Sequence, residues 1–191
     1  MSQPVIEKTE TLFGGWGKYL RVHLRFPDGT AYAREIEDHG DAACVLPFDA
    51  ARGVVMLVRQ ARAPLVHRGE NEQLWEAPAG ILDEPDPAEC ARREAMEEVG
   101  LRLGEVVALG SFWTMPGISA ERMHLFLAPY GAADRVTAGG GLADENEAIE
   151  VVEMPIREAA ELMDGGRMRD MKTFALLQAL RLRHPELFAG V

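Results

Sequence analysis

The first periodic signal is a strict alternation. Between residues 18 and 26, Leu20, Val22, Leu24 and Phe26 are apolar and Arg21, His23 and Arg25 between them are polar. A period of two is the signature of a half-buried strand. Pro27-Asp28-Gly29 then supplies turn chemistry, and residues 30–37 run extended again, so the pattern predicts a β-hairpin. Two further strands are expected at 42–48 and 53–60. The second carries the unbroken apolar run Val54, Val55, Met56, Leu57, Val58, as a strand buried on both faces does.

Residues 87–99 change period and read as a helix. Pro87 suits its first turn, Asp86 its N-cap and Gly100 its C-terminal stop. Strand-like runs return at 105–112, 122–130 and 149–154. Helices are expected at 155–164 and 172–183, the last with an apolar stripe of Phe174, Leu177 and Leu180 that reaches His184 one turn on. Strands on both sides of one helix, followed by terminal helices, predict an α+β fold, an α/β/α sandwich with a mixed sheet and an N-terminal antiparallel hairpin.

Composition adds limits. The chain has 191 residues, 47% hydrophobic and 27% charged, the ordinary mix of a globular domain. A formal net charge of -11 repels phosphodiester backbones and anionic lipid, so neither nucleic acid nor membrane is an expected partner. The two cysteines, Cys44 and Cys90, have no CxxC spacing, and His23, His67, His124 and His184 have no ligand spacing. No run reaches the length of a membrane span and residues 1–10 lack a signal-peptide core, so the expected location is cytoplasmic.

The chemistry concentrates in residues 80–101, which hold seven acids. On a helix, Glu94, Glu97 and Glu98 stand at i, i+3 and i+4 and share a face. Three like charges there repel, a cost that a divalent cation offsets, since carboxylate oxygens suit Mg2+ or Mn2+. Arg92 and Arg93 are ion-pair candidates for the same acids. The stretch Gly80-Ile-Leu-Asp-Glu-Pro-Asp-Pro-Ala-Glu-Cys-Ala-Arg-Arg-Glu-Ala-Met-Glu-Glu-Val-Gly-Leu101 resembles the Nudix box. Its second half matches; its first half is one residue shorter, with Asp86 where glutamate is usual.

The resemblance extends over nearly the whole chain, to the nucleoside-diphosphate-sugar branch of the Nudix hydrolases. Trp75-Glu-Ala-Pro-Ala-Gly80 resembles the segment entering the box, and Gly139-Gly-Gly-Leu-Ala-Asp-Glu-Asn-Glu-Ala-Ile149 the late acidic loop. Pro116, 16 positions after Gly100, is spaced as in members acting on ADP-ribose. The shortened box and Arg169-Asp-Met-Lys-Thr173 resemble the GDP-mannose hydrolases.

This resemblance implies a Mg2+-dependent pyrophosphatase, with Mn2+ as an alternative ion, that cleaves a nucleoside diphosphate sugar. ADP-ribose is favoured, giving AMP and ribose 5-phosphate, with GDP-mannose as the alternative. It implies Glu94, Glu98, Glu147 and the Ala79 carbonyl as metal ligands, with Glu97 ligating directly or through water and counted with Glu145 as catalytic. Glu145 would be the general base that takes a proton from the attacking water. Trp16 would stack on the base, Arg34 would reach it from a second subunit, Arg62 would contact phosphate or ribose, and Glu121 would lie near the attacking water. A homodimer follows, with residues 1–39 serving dimerisation and substrate and 40–191 forming the catalytic domain. A function of another class, a catalytically silent module that binds nucleotide sugars, has no need of this acidic cluster.

Overall fold

The computed structural model describes residues 3–70, 72–142 and 148–190. Its strands form two sheets. The smaller is antiparallel, in the order β1 (Val5–Gly14), β2 (Lys18–Arg25), β3 (Ala31–Asp38). The expected hairpin is β2 and β3, with Val22 opposite Arg34. β1 is an addition. Its centre, Glu7-Lys-Thr-Glu-Thr11, is polar and its residues are mostly exposed, so no alternation announces it; backbone pairing with β2 holds it.

The larger sheet has seven strands: β4 (Ala42–Asp49), β5 (Val54–Gln60), β6 (Leu74–Glu76), β7 (Ala79–Ile81), β8 (Val107–Trp113), β9 (Arg122–Pro129) and β10 (Glu150–Pro155). The main path runs β10-β5-β4-β9-β8, with β4 and β9 parallel and the other neighbours antiparallel. The helices are a five-residue α1 (Ala63–His67), α2 (Pro87–Val99), α3 (Ile156–Asp164) and α4 (Met171–Arg183).

Alternation along the apolar strands feeds two cores. Ala43 and Val45 of β4 and Met56 and Val58 of β5 pack with Ala91 and Ala95 of α2. Cys44, Leu46, Val55 and Leu57 face the other way, onto Leu176 and Leu177 of α4 and the neighbouring α3. Each fully buried aliphatic chain contributes about 1.5–3 kcal/mol, so helices on both faces are the stable solution for strands this apolar. The α/β/α sandwich expected from the pattern is the fold.

The last helix corrects one expectation. Its buried stripe is Thr173, Leu176, Leu177 and Leu180, while Phe174 is 36% exposed. The cause is at its start: the Asp170 carboxylate accepts the Thr173 backbone N–H at 3.0 Å, and the Thr173 hydroxyl accepts the Ala77 N–H at 2.7 Å. These bonds rotate α4 so that Thr173 faces inward.

Candidate active site

β4 and β5 are hydrogen-bonded partners only at Phe48–Val55 and Asp49–Val54. Beyond that point they part, and residues 74–81 fill the gap. β6 pairs with β5 through Glu76–Val58, and β7 pairs with β4 through Ala79–Cys44. Val45 N–H also donates to the Pro78 carbonyl at 3.0 Å. The segment Glu76-Ala-Pro-Ala-Gly80 is thereby fixed on both sides and carries backbone groups into the middle of the sheet.

α2 lies over this segment. Asp86 is its N-cap, with a carboxylate oxygen 2.9 Å from the Ala88 backbone nitrogen, which gives the unusual box residue a structural role. Gly100 ends the helix in the left-handed conformation at φ 71°, and a Cβ there would overlap the Thr137 carbonyl. Glu94 and Glu98 point inward and are only 7% and 2% exposed. Glu98 Oε2 accepts the Ala79 N–H at 3.2 Å. The Glu94 carboxylate lies so close to Gly80 that a Cβ on Gly80 would overlap it. Only glycine leaves that space.

Glu97 turns aside. Arg93 donates to Glu84 at 2.7 Å and to Glu97 at 3.0 Å, lies 2.7 Å from Glu94, and donates to the Ile81 carbonyl at 3.1 Å. Burial opposes the Arg93 charge, but its bond to Glu84 and the Glu94 charge outweigh burial and raise its pKa. Part of the repulsion expected among the three glutamates is therefore offset within the chain. The end of α2 also receives the late loop: Gly140 and Gly141 N–H groups donate to the Glu98 and Glu97 carbonyls at 2.8 and 3.1 Å. Glu145 and Glu147 lie outside the described residues.

The donor chemistry at α2 and β7 fits a hard divalent cation. Two buried carboxylates and a backbone segment with a carbonyl at Ala79 offer oxygen only. Among the described residues no three His, Cys, Asp or Glu side chains converge on one point. Mg2+ does not require three, because it is usually held by one or two carboxylates and keeps several waters.

A cavity of about 980 Å³ opens beside Glu94 and Gly80, ample for a nucleotide sugar. Of the predicted residues, Ala79, Glu94, Arg62, Glu121 and Trp16 line it. Glu98 lies behind Ala79. Arg34 is not brought in: its guanidinium lies 4.2 Å from the Tyr32 ring centroid and bonds the Ala33 carbonyl.

The structure adds residues that sequence reasoning missed. Glu76, 2% exposed, takes Arg62 in a two-bond fork at 2.8 and 2.9 Å and Lys172 at 2.6 Å. Lys172 also lies 3.0 Å from Asp170. Burial pushes the Glu76 pKa up, but Arg62 and Lys172 together hold it below its ordinary value. Burial likewise opposes the Lys172 charge, and Asp170 and Glu76 overcome it. Both residues fall in segments that carry the family resemblance, so a signal existed. His39 lines the cavity too, between Glu37 and Glu121, with no motif to mark it.

Comparison with known proteins agrees with this geometry. The chain is 44% identical over 151 residues to the GDP-mannose pyrophosphatase of Pectobacterium atrosepticum, covering 78% of this chain and 77% of that one. It is 42% identical over 154 residues to the GDP-mannose pyrophosphatase of Escherichia coli O157:H7, covering 80% of each. A crystal structure described as an ADP compounds hydrolase superposes with a TM-score of 0.76 at 20% identity, over 97% of this chain and 96% of that one, and shares the fold. The NUDIX domain family model matches residues 38–176, a span that contains the split in the sheet, the capped helix and its inward glutamates, and the chain belongs to the Nudix family.

Proposed function

We propose that the protein hydrolyses the pyrophosphate bond of a nucleoside diphosphate sugar, giving a nucleoside monophosphate and a sugar phosphate. The observation that carries this reading is the pair Glu94 and Glu98, buried against the Ala79–Gly80 backbone at the wall of a large cavity. Holding two like-charged carboxylates side by side in a buried position is costly, and a cation site offsets that cost.

Glu94, Glu98 and the Ala79 carbonyl, together with Glu147, would hold Mg2+, or Mn2+ in its place, and Glu97 adds its charge to the cluster. A cation bound there supplies charge neutralisation for a pyrophosphate. Glu145 accepts the proton of the attacking water, which leads to cleavage of a P–O bond of the anhydride. Arg62, held in the Glu76 fork, presents its outer face to phosphate or ribose. Trp16 offers a stacking face to the base, and Glu121 stands by the water. Arg34 lies away from the cavity of its own chain, which fits a role in the site of a second subunit. On this reading residues 1–39 serve dimerisation and base recognition, 40–191 form the catalytic domain, and the homodimer works in the cytoplasm.

The two named relatives act, by their names, on GDP-mannose. ADP-ribose stands beside it because of the Pro116 spacing. The test is turnover with Mg2+ on GDP-mannose, ADP-ribose, ADP-glucose, NADH and diadenosine polyphosphates, read as phosphate released by a coupled phosphatase. Cleavage of a nucleotide sugar is expected; silence on the whole panel with tight binding of one member would make the protein a binding module.

A further inference from the structure

Trp16 lies in the bend between β1 and β2, inside the run Gly14-Gly15-Trp16-Gly17, and is 80% exposed. An indole flanked by glycines and outside the core has little to fix its orientation. The ring contact it makes among the described residues is with His39: the centroids are 4.9 Å apart and the planes 25° from parallel. His39 follows β3 directly and is itself largely buried, its side chain 13% exposed. The bend approaches it so closely that a Cβ on Gly17 would lie 3.0 Å from the His39 Cβ.

Both nitrogens of that imidazole face carboxylates. Nδ1 meets Glu37 Oε1, and Nε2 lies 3.2 Å from Glu121 Oε1. An ionised carboxylate only accepts hydrogen bonds, and neutral imidazole has a single N–H, so satisfying both contacts requires the imidazolium. Among the described residues the charged groups that face the ring are Glu37 from β3 and Glu121 from the loop before β9; the β1–β2 bend contributes the uncharged Trp16 and Gly17. Burial opposes the charge on His39, but the bonds to Glu121 and Glu37 outweigh it, and the pKa is raised above its ordinary 6.5. Glu37 and that loop are also joined through the backbone: the Glu37 N–H donates to the Ile118 carbonyl at 2.8 Å, and the Ala120 N–H to the Glu37 carbonyl at 2.9 Å.

We propose that His39 is a positioning residue for the base end of the site: an imidazolium clipped between Glu37 and Glu121, it backs one face of the Trp16 indole and presets the other as the platform for a nucleobase. A cation over an aromatic face is attractive, and a platform ordered beforehand spares the ordering cost on binding. This rests on the reading of Trp16 as the base-stacking residue.

The experiment has a kinetic arm and a spectroscopic arm. With the nucleotide sugar that the wild type cleaves, His39→Gln is expected to raise KM about three- to tenfold, the cost of ordering one large side chain, and to leave kcat within about twofold. His39→Arg, which keeps a planar cation between the carboxylates, is expected to restore KM. The double variant with Trp16→Ala is expected to be no worse than Trp16→Ala alone. In the second arm, the emission of wild type minus that of Trp16→Phe is followed from about pH 5.5 to about 9, across the range in which histidine titrates. An imidazolium quenches a stacked indole, so this difference is expected to rise with a midpoint above 6.5 and to be flat in His39→Gln. An unchanged KM in His39→Gln, no rescue by arginine, multiplying effects in the double variant, or no His39-dependent titration would overturn the proposal. Absence of turnover by the wild type would instead sink the hydrolase reading, and the fluorescence arm would still decide the contact.

Discussion

Arg62 and Glu76 meet in a fork of two parallel hydrogen bonds, Nε to Oε1 at 2.8 Å and Nη2 to Oε2 at 2.9 Å, at the wall of the cavity. Glu76 simultaneously neutralises Lys172. One buried carboxylate thus orients two cations that face the substrate space. Glu76→Ala removes the carboxylate that Arg62 and Lys172 share and leaves Lys172 only Asp170. A loss of about 3 kcal/mol in denaturant unfolding is expected, the low end for breaking a buried pair because Asp170 remains and the Arg62 side chain is 40% exposed.

The same carboxylate sets a pH dependence. Its folded pKa lies below the ordinary 4.5, so it binds fewer protons folded than unfolded near that value. The stability it contributes is present above pH 4.5 and is lost as pH falls through the folded value. Glu76→Gln is expected to flatten the acid limb of a plot of stability against pH; an unaltered limb would mean that other carboxylates carry it.

Glu98 and Glu94 are expected to be indispensable to turnover. Outer partners of metal ligands already cost about 10–100-fold when removed, so Glu98→Gln should lower kcat by about 100-fold or more. Dialysis against EDTA should abolish activity and Mg2+ restore it. A chelator-resistant rate, or a Glu98→Gln enzyme within about tenfold of wild type, would contradict the assignment.

Glu145→Gln is expected to lower kcat while substrate affinity, measured by calorimetry, is kept. Glu147→Gln should instead raise the Mg2+ concentration needed for half-maximal rate. Reversal of the two patterns would exchange their roles.

Gly80→Ala puts a methyl group where the Glu94 carboxylate sits. Overpacking of this kind costs about 1–3 kcal/mol. Activity is expected to fall further than stability does, because the group displaced is a proposed ligand; a fall in melting temperature with unchanged kcat would contradict that.

How much of this was legible depended on periodicity. β4 and β5 could be read because the apolar run was long, and α2 because Asp86, Pro87 and Gly100 punctuate it. β1 could not, since pairing with β2 rather than burial holds it. The three-residue strands β6 and β7 are too short to have a period, so the split between β4 and β5 was invisible. Contacts across long separations failed for the same reason. Lys172 and Glu76 are 96 residues apart, and nothing local to either announces the other. His39 stands alone in Glu37-Asp-His-Gly40, and its meaning comes from Glu121, 82 residues away. The motif residues were legible as a set, but that Glu97 turns to Arg93 while Glu94 and Glu98 turn inward is a fact of packing.

The split in the large sheet also governs how the site can come apart. Residues 76–80 are stitched to β5 on one side and to β4 on the other, and β4 is in turn paired with β9 through Ala42–Met123 to Phe48–Pro129. A local fluctuation that frees the Ala79 backbone has to break the β4–β7 ladder, and the Ala79 bond to Glu98 with it. The amide protons there are expected to be among the slowest to exchange, and rapid exchange of the Ala79 amide would contradict this. The floor of the site shares the durability of the strands around it, while the Trp16 indole at the other end takes its orientation from the side chain of His39: one end of the cavity is fixed by backbone, the other by a side-chain contact.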